Sequence, residues 1–219
     1  MTRNQSLVLP FIACLLTAGC MGGNIIGGSG HVVTETRNVS GFTGVGVSGD
    51  AQVLVEQSDM ERVEIRADDN LMEHLTSDVV GSKLVLGPRN LVGVRPTQRI
   101  IFKVFAKSLL DLETSGSISA EVKDVKSESF NVALSGTGDI KVSGETSKQT
   151  VSISGSGSFD GEHFASKEAS LNISGSAKVV MAVSEKLDVQ ISGSGDVEYI
   201  GTPQVTQNIS GSGAIRQRK

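Results

Sequence analysis

Gly44-Val45-Gly46-Val47-Ser48-Gly49 has the G-x-G-x-x-G spacing of a phosphate cradle. Such a cradle needs a helix N-terminus directly after the glycines, whose free N–H groups hold the pyrophosphate. Here Ala51-Gln52-Val53-Leu54-Val55-Glu56 follows, alternating as a strand does, so a cofactor site is not expected. Gly136-Thr137-Gly138-Asp139 and Gly193-Ser194-Gly195-Asp196 resemble calcium-binding turns, but Ser158, Lys178 and Ala214 fill the Asp place in other copies. A cation cage cannot be built from alternate turns with a Lys between them. The remaining acids are scattered: Asp68 and Asp69 sit in one loop, while Glu121, Asp124 and Glu128 share a connector. Glycoside hydrolysis needs two carboxylates at a fixed separation, and no pair is marked out for it. His31, His74 and His163 lack the H-x-H or H-x-x-x-H spacing of metal ligands. The chain therefore reads as non-catalytic, with no cofactor and no metal.

One cysteine has a chemical use. Arg3 is followed by the apolar run Ser6–Leu16 and then by Leu16-Thr17-Ala18-Gly19-Cys20. This is the pattern of an export signal, too short to span a bilayer as a mature helix. Small residues before Cys20 resemble a bacterial lipoprotein cleavage site, with Thr17 standing where that pattern prefers Leu. The reading is a signal peptide at 1–19 with Cys20 as the lipidated first residue. Ordinary secretion, with cleavage near Ala18 or Gly19, is the other reading. Cys14 falls within the removed segment, so no intrachain disulfide is expected. Met21–Gly30 is Gly-rich and aperiodic, and 20–33 reads as a flexible tether to the membrane.

The elements that carry these residues follow from a repeat. Ser-Gly recurs at Ser115, Ser135, Ser154, Ser174, Ser192 and Ser210, at intervals of 20, 19, 20, 18 and 18 residues, with an early copy at Ser48. Before it stand Leu134, Ile153, Ile173, Ile191 and Ile209; one place further back stand Ser152, Asn172, Gln190 and Asn208. Next come Val132, Val151, Leu171 and Val189, a column that Gln207 breaks in the last copy. Ile140, Phe159, Val179, Val197 and Ile215 return five residues after the Ser. This period-two alternation makes half-buried strands. The turn glycines Gly49, Gly116, Gly136, Gly155, Gly175, Gly193 and Gly211 supply positive φ at each corner. Units of this size stack as a solenoid, here an all-β parallel β-helix of 18–20-residue coils. The Ser, Asn and Gln columns become polar ladders outside, and the aliphatic columns a dry interior. The absence of Trp, with aromatics at 4%, suits a narrow core.

The run Thr36-Arg37-Asn38-Val39-Ser40-Gly41-Phe42, then Val63–Leu71 (VEIRADDNL), then the Ser-Gly-Ser-Gly turns, resembles the putative auto-transporter adhesin head GIN domain family. The likeness spans roughly 34–216. It implies a right-handed, pectin-lyase-like β-helix on secreted proteins or lipoproteins of Gram-negative bacteria, and a role in cell-surface adhesion, with no catalytic residues to carry over. The expected organisation is one domain at 34–216, irregular over 34–110 and regular over 111–216.

The expected function is binding in the cell envelope, at the outer membrane, through a rigid surface that meets a glycan or protein. Carbohydrate binding or degradation on the same fold, or an envelope scaffold that binds another protein, is the alternative. With Lys+Arg 20 against Asp+Glu 24 there is no basic footprint for nucleic acid. The segment Gly87–Gln98, with Arg89 and Arg95 in it and Arg99 just beyond, is the least repetitive and reads as a capping loop or contact surface. The solenoid's last coil is followed by Arg216-Gln217-Arg218-Lys219, whose charges are expected to blunt its open edge; stacking into a homo-oligomer is the other expectation.

Overall fold

A computed structural model describes residues 25–89 and 92–218, almost all of them in strands, as the alternating sequence requires. In chain order these are β1 (Ile25–Gly27), β2 (Val32–Asn38), β3 (Gly44–Gln57), β4 (Arg62–Asp68), β5 (Leu75–Val80), β6 (Lys83–Pro88), β7 (Gly93–Arg95), β8 (Ile100–Ala106), β9 (Asp111–Ile200), β10 (Gln204–Gly211) and β11 (Ala214–Gln217). A single 3-10 helix, Asp69–His74, joins β4 to β5 among the described residues.

A 90-residue strand such as β9 cannot run straight across a small domain. It turns at glycines and stacks on itself pass by pass. The early Ser-Gly copy belongs to the same stack although it lies far away in sequence: β3 pairs in parallel with the first pass of β9, Gly49 opposite Gly116. At the far end β10 and β11 pair in parallel with the last pass of β9, Asn208 opposite Gln190 and Ile215 opposite Val197. On its other side β3 takes β6 and β8 in parallel, so these two strands stack outside residues that precede them.

The interior is layered by register. Phe102, Val53 and Ala120 lie over one another, as do Ile100, Ala51 and Ile118, and all are buried. In these two rows large residues thus face smaller ones in the next layer, the alternation that close packing favours. Phe130 and Phe164 meet edge to face at 5.5 Å deeper in the stack.

The fold is all-β, but its sheets are mixed, which corrects the expectation of a purely parallel coil. β4 runs antiparallel to β8, β2 antiparallel to β4, and β5 antiparallel to β6. A stack with identical passes leaves its first edge bare, and these reversed strands cover it. Arg37 fixes the cover: its guanidinium donates to the carbonyls of Leu75 and Met72 and to Ser77 Oγ. The tether expectation also fails from Ile25 onward. β1 pairs in parallel with β7, and Asn70 Nδ2 donates to the Gly27 carbonyl at 2.8 Å. Gly-rich composition hides this because the partners that order the segment come from 68–70 and 93–97. The rest of 20–33 lies outside the described residues.

Candidate functional site

The site is built from corners. At Gly136 φ is 119°, and an added Cβ would sit 2.5 Å from the Gly116 carbonyl oxygen. The same contact recurs from Gly116 onto Gly49 and on through Gly155, Gly175, Gly193 and Gly211, each over the glycine of the pass before. These seven glycines, all at positive φ, form one continuous column. Close backbone approach, as well as the turn, demands glycine there.

Two open grooves flank this column. One, about 310 Å³, is lined by Ser152, Asn172, Gln190 and Asn208 with Ser154 and Ser174 beside them. Its side chains repeat once per pass, at a rung spacing of about 4.8 Å for stacked strands. The other, about 880 Å³, lies beyond the turn and is lined by Ser158, Ser176, Lys178, Ser194, Asp196 and Arg216. Its charges are mixed in sign. Ser158 Oγ donates to Asp139 at 2.5 Å, and Arg216 bridges Asp196 at 3.0 Å and Glu198 at 2.8 Å. The guanidinium is held above its ordinary range by Glu198 first and then Asp196. Lys178 has no ion-pair partner among the described residues.

The other sequence candidates do not converge. Among the described residues no three His, Cys, Asp or Glu side chains gather to hold a metal. His74 lies 3.6 Å from Glu73, apart from His31 and His163. Glu121 pairs with Lys123 at 3.3 Å, and Asp124 takes positive φ at a corner. Arg89 donates to the Glu73 carbonyl, and Arg99 lies 3.5 Å from Asp50. Gly44, Gly46 and Gly49 lie within or at the bend of β3, with no helix after them. Cys20 lies outside the described residues.

Two polar features escaped the sequence reading. Asp68 is fully buried and accepts from Gly30 N at 2.8 Å, Thr97 N at 2.9 Å and Thr97 Oγ1 at 2.6 Å. These bonds, the Thr97 hydroxyl foremost, hold its carboxyl below the usual value against the opposing effect of burial. Beside it Asp69 is likewise lowered, mainly by Ser29 Oγ at 2.5 Å. Gln149, 2% exposed, has neither amide atom hydrogen-bonded. Only its place in an otherwise apolar column (Phe130, Ala169 and Leu187 stand five residues before their own Ser-Gly) could have marked it.

No helix among the described residues is long and apolar enough to cross a membrane. Solved structures share the fold. A "putative adhesin" from Bacteroides fragilis superposes with a TM-score of 0.73 at 16% identity, covering 88% of this chain and 100% of that one. A "putative adhesin" and a "Putative lipid binding protein", both from Parabacteroides distasonis, give TM-scores of 0.54 and 0.52 at 21% and 23% identity. They cover 89% and 90% of this chain and all of theirs. At these identities the likeness is one of fold. A comparison with functionally curated proteins finds no match. The family described as "Putative auto-transporter adhesin, head GIN domain" matches residues 41–203, most of the chain, and the chain belongs to that family.

Proposed function

We propose that the protein is a non-catalytic adhesin of the cell envelope, binding a surface glycan or protein through the ridge of Ser-Gly corners and the grooves on either side of it. The observation that carries this reading is the regular exposed polar array: Ser154, Ser174, Ser192 and Ser210 are all at the surface, one per pass, beside Asn172, Gln190 and Asn208. A repeating ligand can meet the same donor and acceptor pattern at each rung, and weak contacts multiply by avidity. The family and fold relatives named as adhesins support it. Parallel registers of β3, β10 and β11 on β9, with the glycine column, support describing the regular part as a parallel β-helix, whose right hand is what the family resemblance implies. Cys20 serves in this reading as the lipid attachment that places the domain on the outer membrane.

The test is a glycan and extracellular-matrix array probed with the full chain and with Ser174→Lys/Gln190→Lys, both exposed positions on the ridge. Binding that the double variant loses, while a control Lys126→Glu keeps it, supports the assignment. Silence across the array, or equal loss in the control, overturns it.

A further inference from the structure

The two ends of the stack are finished differently. The first is covered by β2, β4, β5 and the 3-10 helix, whereas β10 and β11 each pair only with β9 among the described residues. The free edge is uncovered in side chains too. Val205, Ile209 and Ile215 stand over Leu187, Ile191 and Val197, which are at most 2% exposed, yet the three themselves are only half-buried. Nor do Arg216 and Arg218 guard this edge, contrary to the expectation for the charges after the last coil; Lys219 lies outside the described residues. Arg216 folds back onto Asp196 and Glu198, and Arg218 onto Glu162 at 3.0 Å, both on earlier passes.

We propose that β10 is a self-association edge, pairing antiparallel with β10 of a second copy about a two-fold axis at Gln207. This proposal does not rest on the adhesin reading. Three observations point to a second copy as the occupant. First, β10 (QVTQNISG) contains no charged residue, so it meets its own image without repulsion. Second, a two-fold pairing must preserve the inward and outward faces, which restricts its centre to a residue, not a gap between residues. Centred on Gln207, Val205 faces the partner's Ile209, and each Gln207 faces the other; Thr206 meets Asn208, and Gln204 meets Ser210. Apolar residues meet apolar ones over the core, and polar ones meet outside. Third, Gln207 stands over buried Val189, in a column that is aliphatic in every earlier pass from Val132 on. A carboxamide there satisfies itself across the axis by two reciprocal N–H···O bonds, which an aliphatic side chain cannot do. Because the interface is isologous, it closes at a dimer instead of growing into a fibre.

The experiment is sedimentation equilibrium of this chain over a micromolar concentration series, with Gln207→Lys and Gln207→Glu variants. Gln207 is exposed, so both variants fold, which their circular dichroism checks. The wild-type chain is expected to dimerise. Each variant alone, with like charges facing on the axis, is expected to weaken association on the order of a hundredfold or more. An equimolar mixture of the two is expected to restore the dimer, because Lys then faces Glu. That rescue separates this interface from any association through the N-terminal segment. A monomeric wild-type chain overturns the proposal, and so does a dimer that either variant leaves intact or that mixing fails to restore.

Discussion

Replacing Asp68 by Ala should open the N-terminal segment without loosening the stacked core. The carboxylate accepts three hydrogen bonds, two from Thr97 and one from Gly30, and these add to the Ser29–Asp69, Ser29–Asn70, His31–Asp69 and Arg66–Gln98 bonds in tying 28–31 and 96–98 to the end of β4. A bond to a charged acceptor contributes about 1.5–3 kcal/mol, but Gly30 and Thr97 lie at the surface and regain water on opening. The net loss is therefore nearer one such bond than three, about 2–3 kcal/mol. At 1.36 kcal/mol per decade this lowers hydrogen-exchange protection at Gly30 and Thr97 by about 30- to 150-fold. β1 and β7 form a two-stranded sheet of their own, so amides of β9 should keep their protection. The wild-type chain should reproduce the effect in acid. The Asp68 pKa is lower folded than its ordinary 3.8, so its stabilisation is complete above the carboxylate range. It is lost as pH falls through that range to the folded value. Unchanged protection at Gly30 and Thr97 in Asp68→Ala would refute the latch; a loss spread evenly through β9 would instead make Asp68 part of the global core.

Gly136→Ala puts a Cβ 2.5 Å from the Gly116 carbonyl at φ 119°, and should cost at least about 3 kcal/mol. At this chain length that is about 6–12 °C of melting temperature in a calorimetric scan, and an unshifted melt would argue against the stacked column. Gln149→Leu removes two buried amide atoms that lack partners and should stabilise by about 1–2 kcal/mol, read as a raised denaturant midpoint with unchanged slope. The ion pairs between passes, Lys126–Glu145, Lys141–Asp160 and Lys148–Glu168, are exposed at 3.6–3.8 Å. Lys141→Ala should therefore shift stability by less than about 1 kcal/mol, a difference that disappears in high salt.

The regular half was legible because stacking imposes one rule on every pass. Ile153, Ile173 and Ile191 had to match since each lies on the next, and Ser-Gly had to return since the glycine backbones touch. The antiparallel cover was not legible, because an end is unlike the passes it closes. Arg37 and Asp68 act through backbone carbonyls and N–H groups distant in sequence, and such partners leave no periodic trace. β3 shows the limit from the other side. Its Ser-Gly copy was visible, but its position between β8 and β9 required the register itself.

The polar rows pose a different problem, since the fold alone would produce them. Outward positions of a stacked strand are polar as a rule, so the Ser, Asn and Gln rows bear on binding through their exposure and even spacing, not through polarity alone. For the free edge, the informative residue is the one that breaks an inward rule. Gln207 occupies a core column at the end of the stack, where a capping role predicts a charge turned to water and a pairing role predicts a neutral group that can bond its own image. Lys126, Lys141 and Lys148 each pair with an acid on the neighbouring pass, so charge was available to this fold. β10 carries none, and the two Arg residues that follow it are turned back onto the preceding passes. A neutral, two-fold-compatible edge with its charges withdrawn is what pairing requires and what capping would avoid.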